Sequence, residues 1–137
     1  MPKNEKPEKR LQKILVCITP QSNSKRLIDH ASDLAQEMPG ELHILHVEKG
    51  NNIFMTANTS GILQELFDYG ADHGGVIHAV CGHDITEAIQ NFIIDHDITR
   101  VVLGEPPVGA VIASDSVIER LTLILPHVKL DILPRLT

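Results

Sequence analysis

The sequence predicts one α/β domain, a single doubly wound five-stranded parallel sheet with four helices. Three observations carry this reading. Short apolar runs alternate with longer amphipathic stretches in strict βαβαβαβαβ order. The amphipathic stretches repeat at the helical period and end in stop signals. The length, 137 residues with 42% apolar composition, suits one domain with its own core.

The first run, residues 14–18 (ILVCI), is wholly apolar, as a strand covered on both faces should be. That places it at the centre of a sheet ordered 3-2-1-4-5. Polar residues 21–24 follow, with Ser22 and Ser24 as helix N-cap candidates. Leu27, Ala31, Leu34, Ala35 and Met38 then form one helix face, stopped by Pro39 and Gly40. Residues 41–47 (ELHILHV) read as the second strand, and 48–58 as a polar connection. Ile62, Leu63, Leu66, Phe67, Gly70 and Ala71 predict a second helix, ending at His73-Gly74-Gly75. The third strand is 76–81. Asp84, with Glu87 three residues on, has capping-box spacing and opens a helix burying Ile85, Ala88, Ile89, Phe92 and Ile93. Residues 99–103 form the fourth strand. A loop through Gly104, Pro106, Pro107 and Gly109 leads to a last helix carrying Val117, Ile118, Leu121 and Ile124. Residues 128–133 close as the fifth strand. Residues 1–11 read as a disordered basic tail, and 12–137 as the domain.

In such a sheet, ligands bind outside the carboxyl ends of the strands, where the strand order reverses. Function should therefore concentrate in loops 19–24, 48–58, 82–84 and 104–116. The first offers Thr19, Ser22 and Ser24, either as ligand contacts or as caps. The last has glycines that suit a phosphate cradle, but Pro106 and Pro107 remove amide donors, and Glu105 and Asp115 add negative charge.

Charge and composition exclude other classes. Residues 1–13 carry five basic side chains against Glu5 and Glu8, leaving seven basic against sixteen acidic residues in the body. An acidic body with three Phe, one Tyr and no Trp is a poor nucleic-acid binder. No apolar stretch nears the roughly 18 to 20 residues of a membrane span, and no signal-peptide core follows the basic start. The expectation is a cytoplasmic chain without membrane insertion. Cys17 and Cys81 form no CxxC pair and read as small buried residues. His43 and His78 fall on adjacent strands, and His83-Asp84 and Asp95-His96-Asp97 add ligand types, yet no helical HxxxH or ligand-spaced cysteine accompanies them. No metal site is expected. Without a G-x-S-x-G elbow or an ordered nucleophile set, no catalytic residue is assigned and an enzyme is not expected.

The fifth strand, as an edge, must be blunted or paired. Lys129 and Asp131 are placed either to blunt it or to meet opposite charges across a twofold axis, burying Leu130, Ile132 and Leu133 in a homodimer.

The segments ILVCITPQSNSKRLIDHASDLA, LHILHVEKG, CGHDITEAIQNFIIDHDITRVVLGE and DSVIERLTLILPHVKLDIL resemble the universal stress protein (UspA-like) family over residues 12–133. The nearest flavour is that of the domains embedded in potassium-sensing histidine kinases. The most specific pieces are His46-Val47, Gly82 and Asp84 with Glu87-Ala88-Ile89 behind them, Val101-Val102-Leu103-Gly104, and Ser116-Val117. The resemblance implies an adenine-nucleotide alpha-hydrolase-like fold, dimers through the fifth strand, and a sensor or transporter protein as partner. Against the nucleotide-binding pattern, Val47, Gly82, Gly104 and Ser116 match. Thr19 stands where an Asp is expected, Pro107 and Asp115 replace two glycines, and the loop between them is two residues short. The resemblance therefore implies a non-enzymatic stress-response or signalling module that does not bind ATP in the usual way. The alternative is a receptor for an adenine nucleotide or cyclic dinucleotide, formed by Ser22 and Ser24 after the first strand and residues 54–57 (FMTA) after the second; the candidate ligand residues as a whole are Thr19, Ser22, Ser24, Val47, Gly82, Gly104 and Ser116.

Overall fold

The structure, a computed structural model, describes residues 12–19, 24–38, 40–49, 57–104 and 127–133. Eight elements follow in order: β1 (Gln12–Cys17), α1 (Lys25–Glu37), β2 (Gly40–Lys49), α2 (Ala57–Asp72), β3 (Val76–Gly82), α3 (Ile85–Asp95), β4 (Arg100–Gly104) and β5 (Lys129–Leu133). All strands pair in parallel, in the order β3-β2-β1-β4-β5. Strand β1 is central, as its unbroken apolar run predicts. Ile14, Leu15 and Val16 are fully buried. Three helices lie among the described residues. The fourth, expected between β4 and β5, falls outside them, as do the basic tail, Ser22 and Ser116.

Strand ends run past the apolar runs. Gln12 and Lys13 pair with Gly40 and Glu41, and Glu48 and Lys49 pair with Cys81 and Gly82. The polar connection expected over 48–58 is shortened accordingly, because ladder pairing needs only backbone groups. Strand alternation sorts the core onto two faces. Ile14, Val16 and Ile44 pack with Leu27, Ile28 and Ala31 of α1 and Leu63 and Leu66 of α2. Leu15, Leu45, Val101 and Leu103 pack with Ile89, Phe92 and Ile93 of α3. Helix α3 starts as expected: Asp84 is extended and its carboxylate accepts from the Glu87 amide at 3.2 Å. Such a cap is worth about 1 kcal/mol.

Strand β5 is anchored by charge as well as by pairing. Asp131 lies at the level of Val102 in the ladder, and the Arg100 guanidinium donates to both its oxygens at 3.0–3.2 Å. His30 of α1 lies 3.2 Å from the same carboxylate. Asp131 is thus committed inside the chain, which corrects the expectation that it blunts the free edge or reaches across a twofold axis. Side-chain alternation puts Asp131 and Leu133 toward α1 and Leu130 toward the α3 face, leaving Ile132 38% exposed.

Candidate functional site

The carboxyl ends of β1, β2, β3 and β4 bring Thr19, Val47, Gly82 and Gly104 to one edge of the sheet, with Ser24 opening α1 above them. Continuing the β1 registers past Cys17 sets Thr19 level with Val47 and Ile18 level with Gly104. A Cβ at Gly82 or Gly104 would meet only ordinary contacts, the nearest 3.6 Å and 3.4 Å away. Space within the described residues therefore does not require glycine at either position.

Ser24 occupies the N-cap position of α1 but does not cap. Its backbone is already helical (φ −67°, ψ −15°), and no side-chain cap bond forms. A capping side chain needs an extended backbone to reach back to the helix amides. Instead, the buried Ser24 hydroxyl donates to the Thr19 carbonyl at 2.9 Å and accepts from the Thr19 amide at 3.4 Å. The two hydroxyl oxygens lie 3.5 Å apart. This staple ties the end of β1 to the start of α1 and occupies both backbone groups of Thr19.

A second link spans the same edge and was not singled out as a site from the sequence. Buried His46 lies with Nδ1 3.2 Å from the Ile18 carbonyl and Nε2 2.8 Å from a Glu48 oxygen. A carbonyl only accepts, so Nδ1 carries a proton. The available signal was the His-x-Glu spacing, since residues i and i+2 of a strand share a face. In the first turn of α1, the Arg26 Nε is buried without a hydrogen-bond partner.

The cysteines differ from each other. Burial pushes the Cys17 thiol up to about 12, which keeps it un-ionised and unreactive at neutral pH. By accessible surface Cys17 is half-buried and Cys81 exposed, correcting the expectation that both are buried. Cys81 lies near the carboxyl end of edge strand β3. His43 and His78 are neighbours, with Nδ1 and Nε2 3.0 Å apart. Among the described residues, no group of three or more His, Cys, Asp or Glu is arranged to hold a metal ion.

The model of the universal stress protein family matches residues 10–114. The chain belongs to the universal stress protein family. The sensor protein KdpD of Mycobacterium tuberculosis (strain CDC 1551 / Oshkosh) is 28% identical over 94 residues. That alignment takes in 68% of this chain but only 11% of KdpD. A universal stress protein crystallised in complex with cAMP superposes with a TM-score of 0.59 at 18% identity, over 92% of this chain and 97% of that one. The Archaeoglobus fulgidus universal stress protein in complex with dAMP gives 0.61 at 14% identity, over 91% and 97%. These structures share the universal stress protein fold with this chain. No helix among the described residues is long and apolar enough to cross a membrane.

Proposed function

We propose that this universal stress protein is a non-enzymatic cytoplasmic signalling module that does not bind ATP in the usual way. The observation that carries the reading is the Thr19–Ser24 staple. Where the nucleotide-binding pattern expects an Asp, the chain has a threonine whose amide and carbonyl are already bonded to Ser24. The Glu48 carboxylate stands at the same mouth, with 23% of its side chain exposed. The sequence of the loop after β4 adds Glu105 and Asp115 where phosphate oxygens need donors. Calorimetric titration with Mg-ATP is expected to give a dissociation constant weaker than about 100 μM. Micromolar binding would overturn the reading, and turnover of excess ATP would overturn its non-enzymatic part.

A second reading makes the same edge a receptor for a smaller adenine nucleotide, or for a cyclic dinucleotide. It is favoured by the unpartnered Arg26 Nε in the first turn of α1, a donor for one phosphate, and by the cAMP and dAMP bound to the relatives. Thermal-shift screening separates the two readings. A true ligand at 100 times its dissociation constant adds about 2.7 kcal/mol.

The partners belong to the same proposal: a second copy through β5, and a sensor protein or transporter. For the dimer, the exposed Ile132 is the contact to test. Sedimentation equilibrium should give roughly 30 kDa for the 15.1 kDa chain, reverting to monomer in Ile132→Lys. A wild-type monomer at tens of micromolar would exclude it.

A further inference from the structure

At the amino end of the sheet, far from the crevice, three imidazoles crowd the seam between α3 and the β2–β3 edge. His43 of β2 and His78 of β3 stack with ring centroids 5.2 Å apart. His96, just past α3, lies 5.8 Å from the first and 5.3 Å from the second. Phe92 of α3 sits among them, stacked on His96 at 3.9 Å and edge-on to His78 at 4.6 Å. His43 and Phe92 are buried.

The hydrogen bonds restrict how many protons this cluster holds. His43 Nε2 lies 3.0 Å from a Glu41 carboxylate oxygen, so it carries a proton. His43 Nδ1 and His78 Nε2, 3.0 Å apart, share a single proton between them. One extra proton is accommodated at His78 Nδ1 with that bond intact. A second would oppose two N–H groups across the contact and break it. His96 Nδ1 donates to the Phe92 carbonyl at 3.1 Å, leaving Nε2 as its basic nitrogen. The Glu41 carboxylate meets the cluster at His43 Nε2, the ring nitrogen not used toward His78. Asp95 and Asp97, either side of His96, are exposed.

We propose that the Glu41–His43–His78–His96 cluster is an acid-released latch holding α3 to the sheet. Neutral rings pack around Phe92 and close the seam; a first proton puts charge there, and a second breaks the His43–His78 bond and sets like charges against each other. The helix it would free runs back roughly 16 Å to the Asp84 cap beside Gly82 at the crevice, so acid would loosen that edge too. Desolvation first, then the charges of His43 and His96, hold the His78 pKa below the ordinary histidine value. The unfolded chain therefore takes the proton first. Stability is full above the ordinary value and falls as pH drops through it toward the folded one.

The test is thermal unfolding of the full chain and of His78→Gln, whose amide still donates to His43 but does not titrate. Between pH 7.5 and 5.5 the wild-type melting temperature should fall by about 5 °C or more, and that of His78→Gln by less than half as much. His83→Gln, altering an exposed histidine, should behave as wild type. Equal loss in wild type and His78→Gln overturns the latch. So does stabilisation by one equivalent of zinc at pH 7.5 in wild type but not in His78→Gln, which would make the cluster a metal site. Should His78→Gln fail to fold, hydrogen exchange on the wild type decides. At pH 5.5 the amides of Phe92 to His96 should lose protection at least tenfold more than those of β1, and uniform loss overturns the proposal.

Discussion

Gly70→Ala is expected to destabilise the fold by about 1–2 kcal/mol, although alanine is the better helix former by about 1 kcal/mol. Gly70 lies in α2, buried over the sheet, and a Cβ there would overlap the Cδ1 of Ile44. Ile44 is fully buried on β2, so its terminal methyl has little room to turn away. The other neighbours of that Cβ, Ile44 Cγ1 and Ile77 Cδ1, stand at 3.4 Å, an ordinary contact. The clash is therefore with one methyl group. Ile44→Val removes that methyl and alone should cost about 1 kcal/mol. Together the two changes should come within about 0.5 kcal/mol of wild type, because the new Cβ fills the space the methyl leaves and the helix gains its propensity. Urea unfolding of the four proteins measures the coupling. Additive costs would show that α2 moves away from the sheet as a unit.

This helix–strand contact also marks how far the sequence could be read. Gly70 and Ile44 fall on core faces by periodicity alone, but their contact depends on where α2 crosses β2. The strand order was legible because only a central parallel strand can be apolar at every position, as 14–18 is. The strand ends were not, since Gln12, Lys13, Glu48 and Lys49 pair through backbone groups that side-chain type does not report.

Within the candidate site, the carboxyl-edge placement of Thr19, Val47, Gly82 and Gly104 followed from topology. The use of Ser24 did not. Whether a serine at a helix start caps or staples depends on its own backbone angles, and Ser24 is already helical. The His43–His78 contact was foreseen as a neighbourhood on adjacent strands. The role of His46 was not, because its partner Ile18 offers only a carbonyl, which no residue type encodes.

Arg100→Ala is expected to cost about 2 kcal/mol at pH 7 and to loosen β5 selectively. The guanidinium makes three donor contacts to Asp131, with side chains 19% and 16% exposed. The pair is neither fully wet, where about 0–1 kcal/mol is usual, nor fully buried, where breaking one costs about 3–5. Removing Arg100 leaves a mostly buried carboxylate with His30 as its remaining partner. Burial alone would raise the Asp131 pKa. The hydrogen bonds from His30 and Arg100, with the guanidinium charge, outweigh it and hold the pKa below the usual carboxylate range. The folded value thus lies below the unfolded one. Its stabilisation is complete above the unfolded value, about 3.9, and is lost as pH falls through the folded one. The gap between wild type and Arg100→Ala should therefore narrow as pH is lowered through that acid range, because wild type loses there what the variant already lacks. Amide exchange should place the neutral-pH loss in β5 and its ladder with β4, since the ion pair joins those strands directly. A loss spread evenly over β1 and β2 would mean that Asp131 stabilises the sheet as a whole rather than fastening its edge. A fastened edge presents Lys129 and Ile132 to a partner in one fixed geometry, so Arg100→Ala should also weaken any β5 dimer without touching a contact residue.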